Sequence, residues 1–435
     1  MASSEERVAT YGQLLRNREF SGLFAAHTVS ILGDVLTKVA LSVLIYNRTD
    51  SALLTALTYA FGFLPQILTA ALASAVVDLV PARRLMLIGD LGRLVCVLAM
   101  TVPGMPVPVL LLLVAVSGAL SPLFRAVRQV LLPEIVGMNG YALGRSMFSG
   151  TVQIGQTLGF GLGGMLLVVF TPRTALLIDA ATFAFSIAAV ALLVRPRPAA
   201  AAGRLAHPSG IVRATVRGNR SILGDSELRR LLLLQWVPTA FVVLPEGLAA
   251  PYAAHLGGGP EAVGLLLAFP AVGTVIGEAV VARFLGPQVR TRWVPALVLV
   301  AVIPLLFFAF TPSLPMALAL LFVSGVGTAF ALPLDQLFIE RVPTSLRGRA
   351  MTLTGAGSIA AQGAGLALGG VMADWMPMHW VFAGAGTAAL TAAVVTGRKR
   401  PWRPARTLPM PEPDLETTGS KVPSCPHQPT PSAER

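Results

Sequence analysis

The chain has 435 residues, of which 54% are hydrophobic and only 12% are charged, and its formal net charge is +12. Because a soluble domain carries about 25% charged residues, this composition excludes an ordinary soluble protein and favours a membrane protein. The positive charge does not indicate a nucleic-acid-binding protein, since the arginines are spread over separate connections and form no contiguous basic patch.

Apolar segments separated by polar residues or by Pro and Gly follow one another along the chain. They cover residues 20–46, 51–77, 84–103, 106–131, 145–171, 174–194, 230–254, 261–285, 293–311, 314–338, 349–374 and 378–397. A helix needs roughly 20 mostly apolar residues to cross a bilayer, and a lipid-exposed backbone must satisfy its own hydrogen bonds. The sequence therefore predicts an all-α membrane protein with twelve transmembrane helices in two six-helix halves.

The two predicted halves, residues 20–194 and 230–397, are accompanied by three polar regions. Residues 1–19 form an N-terminal segment and residues 195–229 form a basic linker, which is either a solvated tether or partly an amphipathic helix on the inner leaflet. The tail, residues 398–435, is rich in Pro, Ser, Thr and Glu. A composition of this kind predicts disorder.

Basic residues are concentrated in alternate connections. The N-terminal segment, the linker and the connections after the second, eighth and tenth segments are rich in arginine, whereas the other connections carry little beyond Arg48 and Arg173. By the positive-inside rule, both termini and the linker are predicted to be cytoplasmic in a multi-pass protein of the inner (plasma) membrane. Cys96 and Cys425 lie in an apolar segment and in the tail, so no disulfide framework is indicated.

A faint internal repeat relates the two halves. Pro122 corresponds to Pro333, and the pair Gly163-Gly164 corresponds to Gly369-Gly370. Glycine-rich stretches let membrane helices approach closely. Two comparable halves are typical of transporters, in which one half rocks against the other around a site at their interface.

Ionisable residues inside the apolar segments are the main candidates for proton coupling or cargo binding. Asp34 lies at the middle of the first segment, where a charge costs about 2.5 to 3.5 kcal/mol on insertion scales and must face a cavity or a partner. Lys38, one turn later, is either the partner that neutralises Asp34 or a counter-charge for an anionic cargo. Glu246 is predicted to be a second proton or cation site or a water-exposed interfacial carboxylate. Glu278 is the other candidate, with a structural ion pair as its alternative.

Further charged residues lie towards the cytoplasmic ends of the segments. Their positions suit a gate whose contacts form in one state and break in another, and static ion pairing is the competing interpretation. The gate candidates are Asp78, Arg83, Arg84, Asp90, Arg93, Arg125, Arg128, Asp335 and Arg341.

Three glutamines, Gln153, Gln156 and Gln235, are predicted to hydrogen-bond a cargo from the cavity wall. Asp179 lies near the outer end of the sixth segment, so we expect it to have a structural role.

Two stretches resemble a known family. The first is RNREFSGLFAAHTVSILGDVLTKVALSVLIYNRTDSA, residues 16–52, and the second is ASAVVDLVPARRLMLIGDLGR, residues 73–93. They are similar to the opening of the major facilitator superfamily, particularly its macrolide-efflux and enterobactin-exporter-like branch, and the similar layout covers about residues 12–400. In the superfamily's loop signature, Gly-x-x-x-Asp-Arg-x-Gly-Arg-Arg, Asp78 fits, and Arg83 and Arg84 match with a one-residue shift. Ser74, Leu79 and Pro81 depart from it.

The resemblance implies a secondary active transporter that exports a drug-like or natural-product small molecule by alternating access, coupled to protons. Siderophore export is an alternative cargo, and a non-transporting membrane sensor or scaffold on the same fold is an alternative function. The expected partners are the cargo, protons and the lipid bilayer, and the chain is expected to be a monomer.

No catalytic chemistry is indicated. The sequence contains no HExxH, phosphate-binding loop or nucleophile elbow, and no two of its five histidines have a metal-ligand spacing. We therefore expect neither an enzyme nor a cofactor or metal site. Without a loop for ATP, transport is expected to be driven by an ion gradient.

Overall fold

The computed structural model describes residues 10–197, 219–285, 287–343 and 347–397. Within these ranges the regular secondary structure is helical. A short helix, Tyr11–Arg16, precedes the first long one, and Asn17 caps the latter by accepting hydrogen bonds from the backbone N–H groups of Glu19 and Phe20. Such a cap satisfies donors that have no partner within the helix. Most of the linker and the whole tail lie outside the described residues, together with the predictions made for them.

The first half consists of α1 (Arg18–Thr49), α2 (Ala52–Leu79), α3 (Ala82–Met100), α4 (Val107–Gly137), α5 (Asn139–Val169) and α6 (Pro172–Leu193). The connection between α4 and α5 is much shorter than the sequence pattern predicts. The chain changes direction at Gly137, whose φ of 68° and ψ of 172° are accessible to glycine but strained for other residues.

The second half consists of α7 (Ser226–His255), α8 (Pro260–Phe284), α9 (Pro287–Leu306), α10 (Leu314–Arg341), α11 (Arg347–Trp375) and α12 (Met378–Gly397). Two of these helices are interrupted. α7 breaks at Val243, just before Pro245, which has no N–H to donate. α10 contains a 3-10 turn at Thr328–Phe330.

Ten helices of the described part are long and apolar enough to cross a membrane. α2 and α3 fall outside this group: within the described side chains, α2 contributes a shorter apolar stretch, Ala52–Gln66, and α3 carries Arg83, Arg84, Asp90 and Arg93. The protein is therefore a multi-pass, all-α membrane protein, as its composition predicts.

The two halves touch at one end of the molecule. We call the end at which α1 begins and α6 ends the linker end, and the opposite end the far end. Near the far end the backbones of Gly164 in α5 and Gly264 in α8 are in direct contact, so that a Cβ on either would meet the other backbone. There too, the backbone N–H of Leu53 in α2 donates to Oδ1 of Asp374 in α11, at 3.3 Å.

The apolar core shows the same asymmetry. One cluster towards the far end is continuous across both halves and includes Val39, Phe160, Leu248 and Phe382. Towards the linker end, each half has its own cluster, around Phe148 in the first half and around Phe338, with other residues, in the second. Among the described side chains, the halves thus share one core at the far end, whereas the clusters at the linker end are each confined to one half.

Candidate functional site

A cavity of about 290 Å³ lies inside the first half. The lining residues within the described part of the chain come from α1 to α6, so the cavity belongs to one half, whereas the internal repeat predicts a site at the interface of the two. The polar and aromatic lining residues are His27, Ser30, Asp34, Thr37, Lys38, Thr58, Tyr59, Phe63, Gln66, Arg93, Ser117, Ser121, Phe124, Arg125, Gln156 and Asp179.

One face of α1 supplies the largest share of the lining. His27, Ile31, Asp34, Lys38 and Leu41 recur every three or four residues along this helix. Because residues at that spacing lie on the same side of a helix, the sequence of α1 itself places Asp34 and Lys38 on the cavity wall.

The partner of Asp34 is Arg93 of α3. Nη2 of Arg93 donates to Oδ1 of Asp34, and the two side chains are 11% and 31% exposed, respectively. One interpretation of the sequence is that Lys38 neutralises Asp34. In the structure Asp34 pairs with Arg93 instead. Lys38 Nζ instead lies 5.2 Å from the ring centroid of Phe63, while Arg93 is held against α1 by stacking 4.4 Å above Phe183.

Two further carboxylates interact electrostatically with Arg93, those of Asp90 and Asp179. Ser186 Oγ donates to Asp90 Oδ2 at 2.6 Å, and Thr37 Oγ1 donates to Asp179 Oδ2 at 2.6 Å. Three carboxylates thus surround one guanidinium. Since like charges in one buried site disfavour full ionisation, this acidic cluster (Asp34, Asp90, Asp179) is chemically suited to hold and release a proton.

Asp90 and Arg93 lie deeper than a gate at the linker end requires. Arg93 is eleven residues from the first residue of α3, which places it roughly 16 Å along the helix axis. Both side chains are buried, and their hydrogen bonds go to α1 and α6 of the same half. The apolar pattern of α3 does not distinguish this position from one near the surface.

The other gate candidates make contacts within their own halves. Arg83 donates to the carbonyl oxygen of Ala191, and Arg84 is exposed. Asp335 accepts from Gln235 at 3.1 Å. In the second half, Arg341 pairs with Glu227 at 3.0 Å.

The side chain of Asp78 lies outside the described part. The contacts of the described candidates lie within single halves, so a gate formed by these residues stays a prediction.

Arg125 and Arg128 lie on α4, twelve and nine residues before its linker end. Nη2 of Arg125 donates to Oε1 of Gln66 at 2.6 Å, and Nη1 of Arg128 lies 2.8 Å from Nε2 of His27. Arg128 also stacks 4.6 Å from the ring centroid of Phe148.

The remaining candidates divide between the two halves. Gln156 lines the cavity, whereas Gln153 and Gln235 are absent from its described lining. Glu246 lies just after the break in α7 and is attracted electrostatically by Lys38 of the first half. Glu278 is half-buried in α8, away from the cavity lining.

Asp179 is the functional candidate that the sequence reasoning placed wrongly. Its side chain is only 1% exposed and lines the cavity. α6 begins at Pro172, which puts Asp179 seven residues, or roughly 10 Å, inside the helix. The sequence indicates only that a carboxylate lies within an apolar segment, because the residues around Asp179 do not show which helix packs against it.

Among the described side chains, no group of three or more His, Cys, Asp and Glu residues is arranged to hold a metal ion. The charged groups that line the cavity suit binding of a polar or charged molecule. The apolar residues beside them suit an amphipathic one.

Comparison with curated proteins gives relatives along nearly the whole chain. The multidrug efflux pump Tap of Mycolicibacterium fortuitum is 28% identical over 389 residues, covering 86% of this chain and 93% of the pump. Tap of Mycobacterium tuberculosis (strain ATCC 25618 / H37Rv) is 26% identical, covering 84% and 90%, respectively. The lysophospholipid transporter LplT of Yersinia pestis (strain Pestoides F) is 32% identical over 175 residues, or 36% of this chain and 39% of LplT.

Solved structures of transporters share the fold. The nucleoside transporter NupG superposes with a TM-score of 0.69 at 12% identity, covering 87% of this chain and 98% of NupG. A bacterial homologue of the iron transporter ferroportin, solved in an inward-facing state, superposes with a TM-score of 0.64 at 16% identity, covering 88% and 98%.

A family model described as transmembrane secretion effector matches residues 10–417, which is nearly all of the chain. The match includes both stretches that carry the resemblance, residues 16–52 and 73–93. The chain belongs to the transmembrane secretion effector family of the major facilitator superfamily.

Proposed function

We propose that the protein is a secondary active transporter that exports an amphipathic drug-like or natural-product molecule from the cell in exchange for protons. The observation that carries this proposal is the acidic cluster around Arg93 in the wall of a cavity within the membrane. The length over which the chain resembles two efflux pumps supports export.

Protons act on the ion pair between Asp34 and Arg93. A proton bound to Asp34 removes its negative charge and frees Arg93 to interact with Asp90 or Asp179, which surround the same guanidinium. Because Asp34 belongs to α1, Asp90 to α3 and Asp179 to α6, this exchange changes how three helices attract one another. A conformational equilibrium shifts only through such differential interactions.

All twelve helices cross the plasma membrane in this proposal, including α2 and α3. The charged side chains of α3 that lie deepest, Asp90 and Arg93, are buried against α1 and α6, which suits a helix inside the bundle. The two halves are residues 20–194 and 230–397, and the protein works as a monomer.

The linker end faces the cytoplasm, because the basic connections are at that end. The conformation described above is then open to the cytoplasm and closed at the far end. Alternating access requires a second state in which the linker end closes, and the gate candidates Arg83, Arg84, Asp335 and Arg341 are placed to join the halves there.

The test is pH-driven transport into everted vesicles that contain the full-length protein. A compound-sensitivity screen of a deletion strain, with and without the gene, first identifies a transported compound. We expect Asp34→Asn to abolish uptake driven by an imposed pH gradient while the protein stays in the membrane.

The matched control is Asp50→Asn, the same substitution at the exposed C-cap of α1, where φ is 49° and asparagine is well tolerated. This control is expected to transport normally. Full pH-driven uptake by Asp34→Asn would contradict the proposal.

A further inference from the structure

Arg125 of the cavity wall and Arg128, three residues later on α4, have hydrogen-bond partners that carry no negative charge. Arg125 donates to the amide oxygen of Gln66. Arg128 contacts His27 Nε2, and because a guanidinium has donors only, that nitrogen must be the acceptor and the imidazole must be neutral. These contacts orient the two guanidinium groups without compensating either charge.

The electrostatic surroundings of both arginines are repulsive. The charged group that acts on Arg125 is Arg93, and those that act on Arg128 are Arg125 and Arg145. Among the described side chains, no carboxylate pairs with either of them. Arg125 is exposed and lines the cavity, and Arg128 beside it is half-buried, so this part of the first half has an excess of positive charge.

The other two cations of the cavity differ from this pair. Arg93 has three carboxylates around it, and Lys38 is attracted by Glu246. Positive and negative charges are therefore segregated among the described side chains: the carboxylates gather around Arg93, whereas the basic pair Arg125 and Arg128 has none beside it. A proton site and an anion site can then be occupied at different places.

The basic residues also follow the path by which a molecule enters. Arg145 is exposed and lies six residues into α5, roughly 9 Å from the linker end of that helix. Arg128 and Arg125 lie nine and twelve residues before the end of α4, at roughly 13 and 18 Å. An anion that enters from the linker end meets the three cations in order of depth.

We propose that Arg125, assisted by Arg128, binds an oxyanion group of the cargo, such as a carboxylate, sulfonate or phosphate. A guanidinium suits these groups because two of its N–H donors match two oxygens. The apolar body of the cargo lies against Phe124, which stacks on His27 at 5.8 Å, and against Phe63. This inference rests on the proposed export function and narrows its cargo to anionic amphiphiles.

The experiment measures binding of fluorescent probes to the purified full-length protein in nanodiscs, by fluorescence polarisation. Carboxyfluorescein and rhodamine 6G are xanthene dyes of opposite charge and represent soluble cargo. Lysophosphatidylglycerol with a nitrobenzoxadiazole label represents a lipid source, and the corresponding lysophosphatidylcholine is its zwitterionic control.

We expect at least one anionic probe to bind more tightly than its non-anionic counterpart. Arg125→Gln should weaken that binding about tenfold or more, as expected for the loss of a charge-assisted hydrogen bond, and Arg125→Lys should retain part of it. Arg173→Gln, an exposed arginine at the far end, is the matched control and should bind like the wild type. If the binding of carboxyfluorescein depends on Arg125, the cargo is a soluble anion. If the binding of lysophosphatidylglycerol depends on it, the cargo is a lipid.

The inference is overturned when the wild type binds no anionic probe or prefers the cationic dye, or when the Arg125→Gln/Arg128→Gln double variant binds anions like the wild type. Retained rhodamine 6G binding by the variants shows that they are folded. pH-driven export of rhodamine 6G without anion binding would refute this inference alone. Normal proton-driven export by Asp34→Asn, together with loss of anion binding in Arg125→Gln, would refute only the proposed coupling.

Discussion

Arg93 of α3 donates a hydrogen bond to Asp34 of α1, which lies 59 positions earlier in the sequence, and this ion pair connects the two helices. Arg93 is the more buried partner, with 11% of its side chain exposed against 31% for Asp34. The pair is therefore both a structural contact of the first half and part of the cavity wall.

A double-mutant cycle tests the coupling between these two residues. Arg93→Gln leaves three carboxylates without their cation, and breaking one side of a buried ion pair costs about 3 to 5 kcal/mol. The exposure of Asp34 places the expected loss at the lower end of that range.

Adding Asp34→Asn should recover about 1 kcal/mol or more, because the two residues are in contact. The measurement is thermal unfolding of the four proteins in one detergent. Additive effects of the two substitutions would contradict a direct coupling.

The close approach of α5 and α8 predicts a block in the transport cycle. A side chain at position 164 would collide with the backbone of Gly264, so Gly164→Leu should hold the far end apart and disfavour the state that is open at the linker end. Transport should fall. The matched control is Gly150→Leu in the same helix, where an added Cβ meets nothing within 4 Å.

A cysteine at Ser121, which lines the cavity, reports the change in access. In a background with Cys425→Ser, a membrane-impermeant maleimide applied at the linker end should label Ser121→Cys more slowly when Gly164→Leu is present. Cys96 is buried and gives little background. Unchanged labelling and transport would show that this contact does not limit the cycle.

The attraction between Lys38 and Glu246 links the two halves. Lys38→Gln and Glu246→Gln should each reduce transport, because each leaves an opposite charge in the membrane interior without its attraction. Exchange of the charges, Lys38→Glu with Glu246→Lys, should recover a substantial part of the activity. The measurement is the rate of uptake into everted vesicles. A charge-swapped variant that transports more slowly than both single variants would rule out a simple pairwise attraction.

Another group of ion pairs lies at the linker end, where Arg197 contacts Glu19 and, at 3.2 Å, Glu134. The hydrogen bond from Arg197 to Glu19 holds the pKa of the guanidinium above its ordinary value, so its charge persists at any pH that the folded protein survives.

The pair with Glu134 is exposed and contributes little, since half of that side chain is accessible. Arg197 and Glu19, however, are only 24% and 10% exposed, and breaking one side of a buried ion pair costs about 3 to 5 kcal/mol. We therefore expect Arg197→Gln to lower the free energy of unfolding by about 3 kcal/mol and to leave transport unchanged. Chemical denaturation in detergent measures this difference. Reduced transport would mean that the group also acts as a latch between the linker and α1.

Much of the fold follows from local sequence properties. The apolar lengths predict the helices because hydrocarbon forces a backbone to satisfy its own hydrogen bonds, and the spacing of Asp34 and Lys38 places both on one face of α1. The break in α7 near Pro245 is also local. The connection at Gly137 was missed, since a single left-handed glycine reverses the chain where the pattern predicts a longer loop.

The candidate site could be predicted only in part. Asp34, Lys38 and Gln156 line the cavity as the sequence suggests, while Asp179 and Arg93 enter it from helices whose apolar patterns do not reveal the facing side. Hydropathy reports the depth of a residue along its own helix. It does not report the rotation of that helix against its neighbours.

The sequence by itself determined that this protein is helical, embedded in a membrane and built from two comparable halves, because those properties depend on the length, apolarity and charge of single segments. Only the tertiary structure decided that Arg93 pairs with Asp34, that the cavity lies within the first half, and that Arg125 and Arg128 lack a negative partner among the described side chains. Those relationships depend on how separate helices pack and rotate, and no single segment carries that information.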